Sequence, residues 1–283
     1  MSAEFRRLIQ ADEIVVAPGV YDGLSARIAA AAGFPALYCS GGAIARSSGV
    51  PDLGLLSMTE VLVRVREVVD ASGLPVIADA DTGYGNALNV VRTVREFERI
   101  GVAAIHLEDQ VAPKKCGHYS GQELISADEM VQKLRAALDT RRELAIIART
   151  DARGRAGLDE AIRRARLYAE VGADLVFIEA PVSRDEIETI ARSVSAPLLI
   201  NMFEGGRTPL VPAHELARMG YRVMIVPSDL QRAAIKAMQL VAETLLRDGS
   251  SAAVRDQMAS FADRERVVDL EAWSNLELRY ANG

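Results

Sequence analysis

Short apolar runs alternate along most of the chain with longer stretches in which apolar residues recur every three or four positions. The short runs are Ile14–Ala17, Ala36–Ser40, Val76–Ala80, Ala103–Leu107, Leu144–Ala148, Leu175–Ile178, Leu198–Ile200 and Val223–Val226. Each is bounded by glycine, proline or charge and is too continuous for a half-exposed strand. Parallel strands buried on both faces read this way. Between them, Val61–Val69, Val90–Ile100, Met130–Leu138, Ala161–Val171 and Ala234–Leu246 carry helical spacing. Gly33, Gly101, Gly172 and Gly220 each follow a helical pattern just ahead of the next strand, where a left-handed residue ends a helix. Ser57-x-x-Glu60, Ser126-x-x-Glu129 and Ser183-x-x-Glu186 read as capping boxes. Those three serines are therefore assigned to helix starts rather than to nucleophilic chemistry.

Alternating strand and helix predicts parallel strands joined by right-handed crossovers, and eight such units predict an α/β fold, a closed (β/α)8 TIM-type barrel. No Gly-x-Gly-x-x-Gly follows the first strand, which argues against a dinucleotide-binding sheet. A barrel of about 250 residues uses nearly all of the chain. Residues 1–283 are accordingly read as one barrel domain, of which about 248–283 form a helical tail. That tail has Trp273, Leu276, Leu278 and Tyr280 to bury, on the barrel or on a neighbouring subunit.

Composition narrows the class. With 49% hydrophobic and 25% charged residues the chain reads as a soluble globular protein. A net charge of −6 makes a nucleic-acid backbone a poor partner, and no apolar run is long enough to span a membrane. Cys39 and Cys116 form no disulfide framework, so a reducing, cytoplasmic location is expected.

Barrel enzymes carry their chemistry at the C-terminal ends of the strands. Those positions hold Ser40-Gly41-Gly42, Asp79 and Asp81, Glu108-Asp109, Arg149, Glu179 and Asn201. Asp79-x-Asp81 with Glu108 from the next strand is an all-oxygen set suited to a hard divalent cation such as Mg2+, with Mn2+ able to replace it. A calcium loop is excluded, because its glycine position is Tyr84 and its last ligand position is Val90. Ser40-Gly41-Gly42 can present backbone N–H groups to an anion that only glycine lets approach. Lys114-Lys115-Cys116-Gly117-His118 lies in a polar segment long enough to be a lid. A cysteine between two lysines and a histidine is expected to have a lowered thiol pKa and to be competent in proton transfer. Cys39 reads as a packed apolar residue, His106 as a core or supporting residue, and His214 and Trp273 as structural.

The runs Tyr38-Cys39-Ser40-Gly41-Gly42, Asp79-x-Asp81, Glu108-Asp109-Gln110, Lys114-Lys115-Cys116-Gly117-His118 and Ala148-Arg149-Thr150-Asp151 resemble the isocitrate lyase/phosphoenolpyruvate mutase superfamily. The resemblance runs from about Pro18 through the tail. Its lid motif matches the carbon–carbon lyase branch, and Asn201 to Leu210 looks most like the 2,3-dimethylmalate lyase and petal death protein group, with 2-methylisocitrate lyase close by. The resemblance implies Mg2+ near Asp81, with Asp79 and Glu108 acting partly through water, and Cys116 as an acid on a closing lid. It implies a last barrel helix swapped between subunits, in a homotetramer built as a dimer of helix-swapped dimers.

It further implies cleavage of a 2-hydroxy dicarboxylic acid to a 2-oxo acid and a carboxylic acid. Tyr38 is the candidate base, and Ser40, Gly41, Gly42 and Arg149 would hold one end of the substrate. Gly117, His118, Glu179 and Asn201 would hold the other. Oxaloacetate hydrolysis and phosphonomutase chemistry of the carboxyphosphonoenolpyruvate or phosphoenolpyruvate type are the alternatives on the same scaffold. One departure stands out: this chain has Asp229 where the lyases more often carry a small hydroxyl residue, which bears on the substrate's distal end.

Overall fold

The computed structural model describes residues 1–119 and 121–281, which form two compact units, Met1–Asp229 and the chain from Leu230 on. The first unit contains eight strands: β1 Val15–Val20, β2 Leu37–Cys39, β3 Val76–Asp79, β4 Ala104–Glu108, β5 Ala145–Thr150, β6 Leu175–Ile178, β7 Leu198–Asn201 and β8 Tyr221–Val226. All neighbours pair in parallel, and β1 closes on β8 through Val15–Val223 to Pro18–Val226, so the sheet is a barrel in sequence order. All eight runs read as strands from the sequence are strands here.

Several strands run further than their patterns suggest, β1 and β5 by the most at their C-terminal ends. β1 continues through Pro18 and Gly19, residues that read as punctuation. Gly19 is required there because a Cβ would lie 2.1 Å from the carbonyl oxygen of Pro227. β5 continues to Thr150, so Arg149 is a strand residue and not a loop residue. That fixes its backbone in the barrel wall.

The helix boundaries follow local chemistry. Ser57 and Glu60 form a full capping box on the helix Met58–Ser72. Ser126 and Ser183 accept the N–H groups of Glu129 and Glu186, but Glu186 turns to Arg153 instead of back to Ser183, so the reciprocal half of that box is absent. Gly33, Gly101, Gly172 and Gly220 all have φ between +85° and +110°. The sequence reading missed the short helix Gly41–Ser47, whose N-cap is Ser40. Two consecutive glycines look like a turn because both weaken a helix interior, but they sit at its first turn, where that cost is small.

The N-terminal helix Ser2–Gln10 buries Phe5 completely, in one apolar cluster with Ala36, Ala103 and Ala145 at the strand starts and Tyr38, Ile147 and Phe177 further up. It closes the end of the barrel opposite the strand C-termini. The second unit comprises most of the helix Asp229–Asp248, a short turn of 3-10 helix and the helices Phe261–Val267 and Leu270–Ala281. This division falls some twenty residues earlier in the chain than the tail expected from about 248. Among the described residues no helix is long and apolar enough to cross a membrane. Truncation of Phe5 to Ala should lower the unfolding free energy by about 3–5 kcal/mol, read as a lower urea midpoint, and Phe5→Leu should lose less.

Candidate active site

The strand ends place a ring of acids around one arginine. Asp79, Glu108 and Arg149 occupy the last turns of β3, β4 and β5, and Glu179 and Asn201 follow from β6 and β7. Arg149 is buried and held by Asp151 through two bonds, Nε to Oδ2 at 3.0 Å and Nη2 to Oδ1 at 2.9 Å. Its Nη1 lies 3.2 Å from Glu108 Oε2 and its Nη2 3.4 Å from Glu179 Oε2. Asp151 is fixed in turn by Asp109, which accepts its N–H at 3.0 Å together with the hydroxyls of Thr150 and Tyr168 and a guanidinium N–H of Arg164. Asp109 thus braces the arginine from the helix side of the barrel wall.

A second cation arrives from the segment read as a lid. Lys114 Nζ donates to Asp52 Oδ1 at 2.7 Å and lies 3.0 Å from Asp81 Oδ1. Burial works against this ammonium, but Asp81, Asp79, Glu108 and Asp52 outweigh it and hold its pKa well above the ordinary value. Six carboxylates (Asp52, Asp79, Asp81, Glu108, Asp151 and Glu179) therefore face two permanent cations. The pKa values record the imbalance. Burial pushes Glu108 and Asp81 up, against Arg149 and Lys114 respectively. Burial also opposes ionisation of Asp79 and Glu179, but His106, Lys114 and Arg149 for the first, and Arg149 and His118 for the second, hold these two below the usual carboxylate range.

Asp79, His106 and Glu108 can bring one ligand atom each within 4.8 Å of one another. Both carboxylate oxygens of Glu108 are buried without a hydrogen-bond partner, the Arg149 contact lacking hydrogen-bond alignment. Buried acceptors left unpaired are costly, and a surplus of carboxylate oxygens is what a hard cation requires. These residues fit a divalent metal. Of the set expected from spacing, Asp79 and Glu108 come together, while Asp81 stands beside them on Lys114. His106 joins from β4, its imidazole pushed by burial down to about 4 and so neutral.

The glycines after β2 have a more specific role than approach of an anion. A Cβ at Gly41 would lie 2.7 Å from Asp79 Oδ2, and one at Gly42 would lie 2.8 Å from Asp52 Oδ2. The carboxylates themselves occupy the space glycine leaves, while Gly41 and Gly42 keep first-turn N–H groups outside the helical hydrogen-bond ladder. Ser40 spends its hydroxyl on the N–H of Ala43. Tyr38 is a neutral phenol: burial, and then Asp79, raise its pKa well above the ordinary value. As a simple base it is therefore disfavoured. It can take a proton only by passing on its own, and His106 Nε2 at 2.8 Å and Asp79 Oδ2 at 3.4 Å from its hydroxyl are the acceptors within reach.

Cys116 departs from the expectation drawn from its neighbours in sequence. Burial, followed by the Asp52 carboxylate, pushes its thiol up to about 11, with the His118 N–H pulling the other way. Every expected activator is engaged elsewhere. Lys114 serves Asp52 and Asp81, Lys115 Nζ donates to the Gly121 carbonyl, and His118 Nε2 lies 3.3 Å from Glu179. The lid is closed over the ring. Gln110 exchanges two bonds with the Lys115 backbone, and Gln122 Nε2 donates to the carbonyls of Cys116, Gly117 and Tyr119. His118 Nδ1 accepts the N–H of Arg207 at 3.1 Å, and the ring stacks edge-on against Phe203, so the loop after β7 clasps the lid. Asn201 Nδ2 reaches both Glu179 oxygens at 3.4 Å.

Sequence reasoning missed Asp52 and Gln122, and it quoted Gln110, Asp151 and the Phe203–Arg207 stretch only within family-like runs, without the contacts they make. Asp229, the departure noted above, opens the helix Asp229–Asp248, an end where a carboxylate is favoured by the helix dipole.

Residues 5–246 match the model of a family described as phosphoenolpyruvate phosphomutase. The chain belongs to this family. It is 47% identical along its entire length to 2,3-dimethylmalate lyase of Eubacterium barkeri, covering 99% of that protein. It is 46% identical over 98% of its length to 2-methylisocitrate lyase of Aeropyrum pernix, covering 89% of it. A crystal structure of 2,3-dimethylmalate lyase superposes with a TM-score of 0.93 at 38% identity, over 99% of this chain and 95% of that one. The superfamily expected from the motifs and the barrel expected from the strand rhythm both stand.

Within this family fold, the packing of the lid can be tested at one glycine. A Cβ at Gly117 would lie 2.4 Å from Glu179 Cγ and 2.7 Å from Arg149 Nη2. Gly117→Ala should therefore lift the lid and speed alkylation of Cys116 by iodoacetamide about tenfold or more, followed by mass spectrometry, with the fully buried Cys39 unlabelled in both proteins. In the wild type the labelling rate should climb steadily from pH 7 to 10, because a thiol at about 11 is almost wholly protonated there.

Proposed function

We propose that this protein is a divalent-metal-dependent carbon–carbon lyase. Its substrate is a 2-hydroxy dicarboxylic acid of the 2-alkylmalate or 2-methylisocitrate type, and its products are a 2-oxo acid such as pyruvate and a carboxylic acid. The observation that carries this reading is the Cys116 thiol, kept protonated under a closed lid against the Arg149–Glu179 wall. A cleavage that leaves electrons on carbon needs a proton donor sheltered from water. The names of the full-length relatives point the same way.

Asp79, Asp81 and Glu108 would hold the cation, Mg2+ in our reading, with Mn2+ as a substitute and His106 behind them. When bound, the cation supplies Lewis-acid stabilisation for negative charge on substrate oxygens. The protein groups do the rest. The N–H groups of Gly41 and Gly42, with Ser40 fixing their helix start, and Arg149 bind the end of the substrate that becomes the 2-oxo acid. The hydroxyl proton leaves through Tyr38, which releases its own toward His106. The C2–C3 bond breaks, the C2 oxygen becomes a carbonyl oxygen, and the electron pair stays on C3, spread into its carboxylate. The Cys116 thiol gives its proton to C3, leaving a thiolate for the Tyr38–His106 proton or solvent to restore. Gly117 and His118 cover the departing carboxylate, with Asn201 and Glu179 orienting His118 and Arg149.

The lysines and histidine beside Cys116 in sequence would favour a thiolate, whereas an acid must start as a thiol. Burial, followed by Asp52, raises the thiol to about 11, which supports the acid role. We further propose a homotetramer of helix-swapped dimers in the cytoplasm. Phe261, Trp273, Leu278 and Tyr280 are each more than 60% exposed on helices that bury no residue, which supports burial of this face by a partner subunit.

The test is pyruvate release from 2,3-dimethylmalate, other alkylmalates and 2-methylisocitrate, with oxalate release from oxaloacetate and phosphonate turnover measured alongside. Cleavage of one lyase substrate should be abolished by EDTA and restored by Mg2+. Cys116→Ser should lower kcat by about 100-fold or more, the scale of a lost general acid. The wild-type rate should show no alkaline loss attributable to this thiol until pH approaches 11, since the acid form is lost only as pH rises through its pKa. Turnover of oxaloacetate or a phosphonate alone, or full activity in Cys116→Ser, would overturn the reading.

A further inference from the structure

Tyr84 carries two costs at once, and the site described above uses neither. Its φ is +59°, in a loop where Asp81, Gly83 and Gly85 are also at positive φ. A non-glycine residue held there costs about 1–3 kcal/mol. Glycine would relieve it, and the flanking positions are already glycine. The loop is pinned from behind, which is how the strain is sustained. Lys133 Nζ donates to the Thr82 carbonyl at 3.2 Å and Thr93 Oγ1 to the Gly83 carbonyl at 3.0 Å, while a Cβ on Gly83 would meet Val90 at 2.5 Å.

The second cost is the hydroxyl. It is buried and has no hydrogen-bond partner, a condition worth about 1–3 kcal/mol against the fold. Phenylalanine would fill the same space without that penalty. The residue lines a small cleft with Gly41, Asp52, Asp79, Asp81 and Lys114, the same cleft that the carboxylates line. Its pKa is raised well above the ordinary value by burial and then by Asp81 and Asp79, which keeps it an O–H donor. An unpaired donor beside surplus acceptors gains a partner when those acceptors or their waters are organised around a cation.

We infer that Tyr84 is a positioning residue for the divalent cation, its hydroxyl donating a hydrogen bond to an oxygen of that cation's ligand sphere. The inference rests on the metal reading given under Proposed function. It assigns the strained loop after β3 a purpose, which is to bring a second phenol, besides Tyr38, to a site rich in carboxylates. Such supporting groups fix the orientation of ligands and tune affinity without touching the reacting atoms.

The substitution Tyr84→Phe keeps the ring and removes only the hydroxyl, and circular dichroism checks that the fold is retained. Mg2+ affinity is measured by calorimetry, and thermal midpoints with and without Mg2+ are compared with wild type. The expected result is a Kd for Mg2+ raised about tenfold, a metal-free midpoint equal to or above wild type, and kcat at saturating Mg2+ within about twofold. The first two changes have opposite signs, which a merely structural hydroxyl would not produce. An unchanged Kd with a lower metal-free midpoint would overturn the proposal in favour of a structural bond. An unchanged Kd with a raised substrate KM would overturn it in favour of a substrate contact. Wild-type protein that binds no Mg2+ would overturn the metal reading itself, and this proposal with it. A variant that loses its fold would also count against it, because the hydroxyl would then be supporting the chain instead of the ion.

Discussion

Charge compensation at the C-terminal end of the barrel governs the rest of the structure. Arg149 comes from a strand, so its answer to Asp151, Glu108 and Glu179 is built into the wall. Lys114 comes from the lid and answers Asp52 and Asp81. One of the two cations in the site is therefore supplied by the segment that carries Cys116. At an effective dielectric of about 20, a single such pair at 4 Å is worth about 4 kcal/mol before desolvation. Closing the lid and balancing the acids are one event, and a divalent cation among the same acids would share in setting how firmly it closes.

The protonated state of Cys116 follows from this arrangement. Cys116 is two residues from Lys114, and its N–H donates to the Asp52 carbonyl while the Asp52 carboxylate takes the lysine. The ion pair that draws Lys114 inward thus buries the thiol and places a carboxylate near it. Both effects favour the protonated form. An open lid would return Cys116 to water and to the influence of its basic neighbours. In the arrangement seen here, burial and the Asp52 carboxylate together make the thiol hold its proton strongly.

The fold was readable from the chain because its determinants are local. Buried strands, helix-ending glycines and capping serines each announce themselves within a few residues, and the strand rhythm counted the barrel correctly. Strand alternation also carried information that went unused: Glu108 faces the barrel axis, so the adjacent Asp109 faces outward to Arg164 and Tyr168. A step of two instead relates Arg149 to Asp151, which meet on one side. What was not readable depends on distant partners. Asp52 lies in a largely apolar loop with no spacing cue, and its role exists only because Lys114 folds across to it from 62 residues away. The thiol misled for the same reason, since adjacent lysines and a histidine predict a low pKa only if they stay adjacent in space.

The division of labour between wall and lid explains where the polar support is concentrated. Arg149 must keep one position whether the lid is open or closed, and it does so without any lid residue. Asp109 gathers Thr150, Tyr168, Arg164 and the Asp151 N–H beneath the strand end, and Asp151 converts that fixed point into a two-pronged grip on the guanidinium. The segment carrying Cys116 is held by one ion pair, Lys114 on Asp52 and Asp81, and otherwise by amide side chains and backbone groups: Gln110, Gln122 and the Arg207 N–H on His118. Neutral hydrogen bonds of this kind contribute about 1 kcal/mol each and can be remade at little net cost. Ionic bracing thus dominates around Arg149, while around Cys116 a single buried ion pair works together with neutral fastening.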